Sequence, residues 1–427
     1  MGTLLLAAAR CLTGVALIVG ASLWVRRRRV RGDLPLPLAR LLERGLHYST
    51  VGILAGFAAP PMVVLALTDV AHLMVALLSG WFGMSVGLGL DARVLRHTSP
   101  LPAAFQGVRA AAVVLAVLAG GSLGLQAVDA LALPSATAFL LMLCGICVAR
   151  PPSGTVLDRR HQRARPHRQP APLAAAAGIL LAGLGAMQAR SVPFRVQLPF
   201  APAGRALLVD SLVGEAAWCL FLGALTGLAV DMLTRGADRS DLVLLMLGGL
   251  ALGSGVAAVL GMEPLWVGLA SGLWLINCTL RRPEILRSVQ ASHGVLRAAL
   301  YLGVGWFIGS GVIHQGLDLR ALVWVLVCVL LLRTAGGWLG GHLAAHLLGA
   351  RAPKRLQASA GDLPQLGDVG LVVAASMGVA APGPTGVGIV VGVALSHWVL
   401  TLLQLRTTTV AGEGLLPGPA SLRTASS

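Results

Sequence analysis

Ionisable side chains set inside long apolar runs are the residues of this chain best able to move charge. In hydrocarbon such groups are costly, face a protein interior or an aqueous cavity, and mark proton and ion pathways. Glu215 lies within the run 208–232, with Asp210 near its outer end; Arg333 lies in 321–348, His397 in 384–405, and Asp368 opens 366–381. Burial raises a carboxyl pKa toward the physiological range, so Glu215 and Asp368 are the carboxylates suited to exchanging a proton. Arg333 pairs with an acid or with carbonyls in the interior, or snorkels. A lone histidine on an apolar run, His397, reads as a packing residue, and Asp91 and Asp231 at run ends read as interfacial.

Two breaks in the pattern add backbone groups to this set. Ala149-Arg150-Pro151-Pro152 stops the run 133–148, and Gly361-Asp362-Leu363-Pro364-Gln365-Leu366-Gly367-Asp368 precedes another short one. Pro151, Pro152 and Pro364 lack an amide donor and Gly367 relaxes the helix, so carbonyls and amides are freed at membrane depth. Paired broken helices in the two halves of a chain point to a transporter's ion site. Arg150 places a fixed positive charge at the first break. At an effective dielectric near 20 and ~4 Å it repels a cation by about 4 kcal/mol, so an acid must neutralise it. Asp368, from the other break, is the expected partner.

The elements that position these groups follow from composition. Of 427 residues, 56% are hydrophobic and 12% charged, and mean hydropathy is +0.81. A soluble domain carries about 25% charged residues. A soluble enzyme, a secreted disulfide scaffold and a disordered chain are excluded. Apolar runs lie near 3–24, 48–67, 70–90, 108–127, 133–148, 172–189, 208–232, 242–260, 264–279, 298–314, 321–348, 366–381 and 384–405. These thirteen runs imply an all-α polytopic membrane protein with two broken helices. The first is not a cleaved leader, because its cluster Arg26–Arg29 follows the apolar stretch.

The net charge of +16 is almost all arginine, Lys354 being the only lysine. In a soluble protein this surplus would suggest nucleic acid; here no nucleic-acid partner is expected. Alternate loops hold 26 of the basic residues against four in the others, Arg190, Arg195, Arg205 and Arg320. Cytoplasmic loops collect positive charge, so the N-terminus is expected outside and the C-terminus in the cytoplasm. A transmembrane domain over 1–406 is followed by a short disordered tail, 407–427, rich in Gly, Pro and Ser.

Covalent chemistry finds no support. There is no phosphate loop, no His-Glu-x-x-His zinc motif and no acidic cluster, so the chain reads as a non-enzyme with no metal and no cofactor. Cys144 and Cys147 have no second pair with which to build a tetrahedral site, and read as small buried residues. Gly336/Gly340 and Gly337/Gly341, at spacing four, read as surfaces for close helix packing.

Several segments resemble the monovalent cation:proton antiporter superfamily, in its sodium/proton exchanger and potassium-efflux branch. Phe82-Gly83-Met84 with Gly87-Leu88-Gly89-Leu90-Asp91 is similar to that family's Phe-x-x-Gly-Leu-Glu-Leu-Asp. Leu260-Gly261-Met262-Glu263-Pro264-Leu265, running on to Gly268-Leu269-Ala270-Ser271-Gly272, resembles its Leu-Gly-Leu-Ser-Pro-Leu-x-Gly-Ala-Phe-x-Ala-Gly. Leu332-Arg333-Thr334-Ala335-Gly336-Gly337-Trp338-Leu339-Gly340 looks like its eleventh helix, and Gln365-Leu366-Gly367-Asp368-Val369 like the Gln-Gly-Gly-Glu-Phe of its second broken helix. The likeness spans roughly residues 45–405. It implies two inverted repeats with crossing broken helices, exchange of Na⁺ or K⁺ for protons across the cell (inner) membrane, and a homodimer in the lipid bilayer.

The departures are as informative. The family's one or two aspartates in its sixth helix correspond to Leu173-Ala174-Ala175-Ala176-Ala177-Gly178-Ile179-Leu180, which has no acid, and its third-helix Glu is Gly89. An alternative register makes 208–232 the acidic helix with Glu215 as proton carrier. The function implied is a cation/proton antiporter; the alternative is a non-transporting relative, a scaffold or sensor that has lost its ion site. The loop charges give a direct test of topology. Reporter fusions after Arg168 and Arg355 should both read cytoplasmic and one after Arg195 external; a cytoplasmic reading at Arg195 would break the thirteen-helix arrangement.

Overall fold

The computed structural model describes residues 45–97, 100–127, 136–149, 171–189, 195–196, 207–208, 212–238, 241–349, 367–380 and 383–413. The first apolar run lies outside these residues. Thirteen helices are described: α1 Leu46–Ala58, α2 Pro61–Gly87, α3 Ala92–His97, α4 Pro100–Ala127, α5 Ala136–Val148, α6 Ala171–Ala189 and α7 Leu212–Thr234, then α8 Leu242–Val259, α9 Pro264–Cys278, α10 Arg282–His314, α11 Leu319–Leu348, α12 Asp368–Ala380 and α13 Pro384–Glu413. Between α6 and α7, Arg195–Val196 and Leu207–Leu208 form a two-residue antiparallel ladder. Seven helices are long and apolar enough to cross a bilayer, by length and composition. The chain is an all-α polytopic membrane protein.

Three boundaries differ from those read off hydropathy. The break between the second and third runs falls at Ala59-Pro60 rather than near residue 68. Pro60 and Pro61 remove two consecutive amide donors and Pro61 then starts α2, whose 27 residues run on without interruption. α10 begins at Arg282, sixteen residues before the apolar stretch, and is 33 residues long. Its first half is polar, and hydropathy alone does not register it. Finally, α13 continues to Glu413, beyond the Arg406 boundary expected for the tail.

Packing groups the helices in pairs. α1 lies on α10, α2 on α9, α7 on α8 and α9, and α4 on the second half of α11. α5 packs on α6 and α12 on α13, and the short helices α5 and α12 also meet each other. The units α4–α6 and α11–α13 are thus alike in plan, a long helix followed by a short one and its neighbour. Lipid offers no hydrophobic drive between helices, so small residues that allow close van der Waals approach must supply it. On α11, Gly336 faces Val113 and Ala116 of α4, and Gly340 faces Arg109 and Ala112, in line with the packing role read from their spacing.

α1 and α10 meet backbone to backbone. A Cβ on Gly52 would fall on the Leu302 carbonyl and 2.8 Å from the Trp306 nitrogen, and one on Gly56 would lie 2.6 Å from the Trp306 carbonyl oxygen. Backbone lies against backbone there, and no side chain can give way. Gly52→Val should therefore destabilise the fold by about 1–3 kcal/mol, seen as a lowered thermal midpoint in detergent. Gly303→Ala on α10, where a Cβ meets nothing within 4 Å, should leave it unchanged.

Candidate functional site

The charged residues converge where α10, α12 and α13 meet. Along the polar half of α10, His293, Arg297 and Tyr301 stand four residues apart and so share one face. Asp368 is the first residue of α12, whose opening turn is closed by the Gly370 amide donating to the Gly367 carbonyl at 2.9 Å. A carboxylate there also meets the positive end of the helix dipole.

Asp368 is held by this face of α10. Arg297 Nε lies 3.2 Å from its Oδ1, the Tyr301 hydroxyl donates to the same oxygen at 3.2 Å, and His293 Nε2 lies 3.8 Å from Oδ2. Arg297 also sits 5.5 Å from the Tyr301 ring centroid, and its guanidinium donates to the hydroxyl at 3.5 Å. The Tyr301 hydroxyl in turn meets Nε2 of His397 on α13 at 2.7 Å. Phe82 of α2 closes the cluster with its ring edge-on to His293 at 5.7 Å.

Arg333 occupies a separate position. It is fully buried on α11, immediately after a π-helical segment, Cys328–Leu332. Such segments insert an extra residue in the helix and recur at functional sites. Arg333 donates to the Ala149 carbonyl at 3.4 Å, at the end of α5. A cation at the C-terminus of a helix is favoured by the dipole, so of the roles open to it from sequence, Arg333 takes the interior carbonyl.

Of the remaining residues singled out from sequence, Glu215 is half-buried in the first turn of α7, a helix packed on α8 and α9. It is not among the groups around Asp368. Arg150, Pro151, Pro152 and Pro364 lie outside the described residues, and the pairing expected between Arg150 and Asp368 lies outside them too; the described cationic partner of Asp368 is Arg297. Gly367 is buried at the start of α12. Asp231, near the end of α7, is buried in the protein: its carboxylate accepts from the Thr279 hydroxyl at 2.5 Å and from Arg235 at 2.9 Å, tying α7 to the end of α9.

No protein-family model and no curated protein sequence matches this chain. Solved structures do. The sodium/proton antiporter MjNhaP1 from Methanocaldococcus jannaschii, in a structure at pH 8, aligns with a TM-score of 0.53 at 16% identity, covering 95% of this chain and 98% of that one. An electron-microscopy map of the same antiporter gives a TM-score of 0.53 at 16% identity, covering 96% of this chain and 98% of the other. The chain shares the fold of that antiporter.

The stretch of α6 that the sequence shows to lack an acid is apolar and mostly buried. Ala175 and Ile179 of α6 are fully buried without a polar side chain between them. Trp266 of α9 leans on this face and its indole Nε1 donates to the Ile179 carbonyl at 3.1 Å. Hydrocarbon and an indole stand against this stretch, and the carboxylate of the cluster between α10, α12 and α13 is Asp368.

Sequence reasoning missed His293 and Arg297, because residues 282–297 read as a charged loop, and Tyr301, because it sits inside the apolar run 298–314. Their spacing of four was the available signal. His397 was read as a packing residue, and it is buried, but its ring nitrogen is bonded to a hydroxyl. A double-mutant cycle tests the central pair. Asp368→Asn and Arg297→Gln should each lower the thermal midpoint, with a coupling of about 1–2 kcal/mol between them, because each single change leaves a partly buried charge without its counterpart. Additive effects would show that the two groups do not act as a pair.

Proposed function

We propose that this chain is a secondary transporter that exchanges a monovalent cation, Na⁺ or K⁺, for protons across the cell membrane. The observation that carries the reading is Asp368, a carboxylate held by Arg297 at the opening of a short helix within an antiporter fold. A carboxylate in such a place binds a proton or a small cation but not both, and that competition is the physical basis of exchange. The Tyr301 hydroxyl beside it is a further oxygen ligand. Arg297 neutralises the carboxylate in the conformation described, so cation entry requires the guanidinium to withdraw. Glu215, Arg333 and Arg150 are the other groups assigned to the pathway, with the backbone at Pro151, Pro152, Pro364 and Gly367 lining it. The chemistry is transport with no covalent step. The protein works as a multi-pass homodimer in the bilayer, its N-terminus outside and its C-terminus cytoplasmic.

A second reading has one observation in its favour. The hydrocarbon surface of α6 and the Trp266–Ile179 bond suit a relative that has kept the fold and ceased to transport, serving as a membrane scaffold or sensor. Proton flux in everted vesicles, with Na⁺, K⁺ and Li⁺ in turn, separates the two. The exchanger should give cation-dependent proton movement, reduced about a hundredfold by Asp368→Asn. Absence of cation-dependent flux in the unmodified protein would favour the scaffold.

A further inference from the structure

We propose that His397, Tyr301 and Asp368 form a proton-sharing hydrogen-bond chain in which His397 is the buried terminus and Asp368 the end open to solvent. This deepens the exchanger reading and rests on it for its role in transport.

The geometry is that of a relay. Both links are short enough for transfer, with 2.7 Å from His397 Nε2 to the Tyr301 oxygen and 3.2 Å from that oxygen to Asp368 Oδ1. A tyrosine hydroxyl has one proton and can accept as well as donate, so it serves two settings. When it donates to Asp368, it accepts from a protonated His397 Nε2. When it turns to donate to His397, its oxygen accepts from the Arg297 guanidinium 3.5 Å away. In the transfer step the Nε2–H bond of His397 breaks and its proton passes to the Tyr301 oxygen. The tyrosine's own proton passes to Asp368 Oδ1. Imidazolium and carboxylate become imidazole and carboxylic acid, tyrosine is unchanged, and one proton has moved.

Exposure gives the chain a direction. The side chains of Arg297, His293 and Asp368 are 28%, 20% and 14% exposed, whereas Tyr301 is 1% and His397 4% exposed. The carboxylate end reaches the molecular surface and the imidazole end does not. Charged and titratable groups face His397 from the helices packed on α13. α10 contributes Tyr301, with Arg297 and His293 behind it, and α12 contributes Asp368. On Leu319–Leu332 of α11 the ionisable residues are Arg320 at the far end and the Cys328 thiol. A purely structural clamp would need the hydrogen bonds but not the titration, and that difference is testable.

The experiment uses the full chain in nanodiscs, labelled with ¹⁵N-histidine, and assigns His397 by the signal lost in His397→Gln. The His397 ring should titrate between about pH 5 and 8, with a midpoint shifted by about one pH unit in Asp368→Asn and a shift that is lost when Tyr301→Phe is added. In vesicles, His397→Gln keeps an amide able to hydrogen-bond to Tyr301 but cannot carry a proton, so exchange should fall about a hundredfold. A ring that does not titrate, or one indifferent to both Asp368→Asn and Tyr301→Phe, overturns the proposal. Exchange at the full rate and with an unchanged pH profile in His397→Gln overturns it too and leaves the exchanger reading standing. Coupled titration without cation-dependent flux in the unmodified protein supports the shared proton and removes the exchanger reading.

Discussion

Backbone groups released where a helix stops inside a membrane have no water to turn to, and this constraint orders the buried charges of the protein. α5 ends with carbonyls at Ala149 and α12 begins with amides at Gly367 and Asp368. The two ends carry dipoles of opposite sign, and each meets a side chain of the sign it favours. Arg333 donates to the carbonyl end, and the Asp368 carboxylate sits at the amide end. The dipole is worth at most about 2 kcal/mol for each charge, whereas removing an ion from water costs several. Neither group is therefore explained by the helix end alone. Asp368 needs Arg297 and Tyr301 as well, which is why α10 must extend a polar half alongside α12.

That extension depends in turn on close packing elsewhere. α10 is held against α1 through Gly52, Gly56, Gly305 and Gly309, where backbones lie too near for any side chain. The same device joins α2 to α9 through Gly83, Gly87, Gly268 and Gly272. The glycine surfaces fix the rotation of α10 about its axis, and the rotation decides where His293, Arg297 and Tyr301 point. A charge cluster among three helices is thus set by contacts that contain no charge.

Much of this was legible in the sequence, and the failures have physical causes. Apolar runs disclosed the helical membrane class because a bilayer demands long hydrocarbon stretches, and twelve of the thirteen runs hold described helices, while the short α3 was not read. Asp368 and Arg333 stood out because ionisable groups in such stretches are rare. The polar half of α10 was hidden, since a helix that pairs its charges with a neighbour looks like a loop when hydropathy is the only measure. The start of α2 was misplaced because Pro60-Pro61 outranks the polar pair Thr68-Asp69, which an uninterrupted helix tolerates. His397 was underestimated for a different reason. Whether a buried imidazole packs or bonds depends on Tyr301, 96 residues away along the chain, and local pattern holds no record of that partner.

The apolar surface of α6 and the charge cluster at α12 are connected by electrostatics. With a carboxylate on α6, two acids would share the interior with the buried cations Arg333 and Arg109. Without it, the carboxylate of the α12 cluster is Asp368, met by Arg297, His293 and Tyr301 of α10, with His397 of α13 behind Tyr301. A proton that reaches Asp368 from the interior side needs a donor within hydrogen-bond range. The Tyr301 hydroxyl, bonded to both Asp368 and His397, stands where such a delivery has to pass.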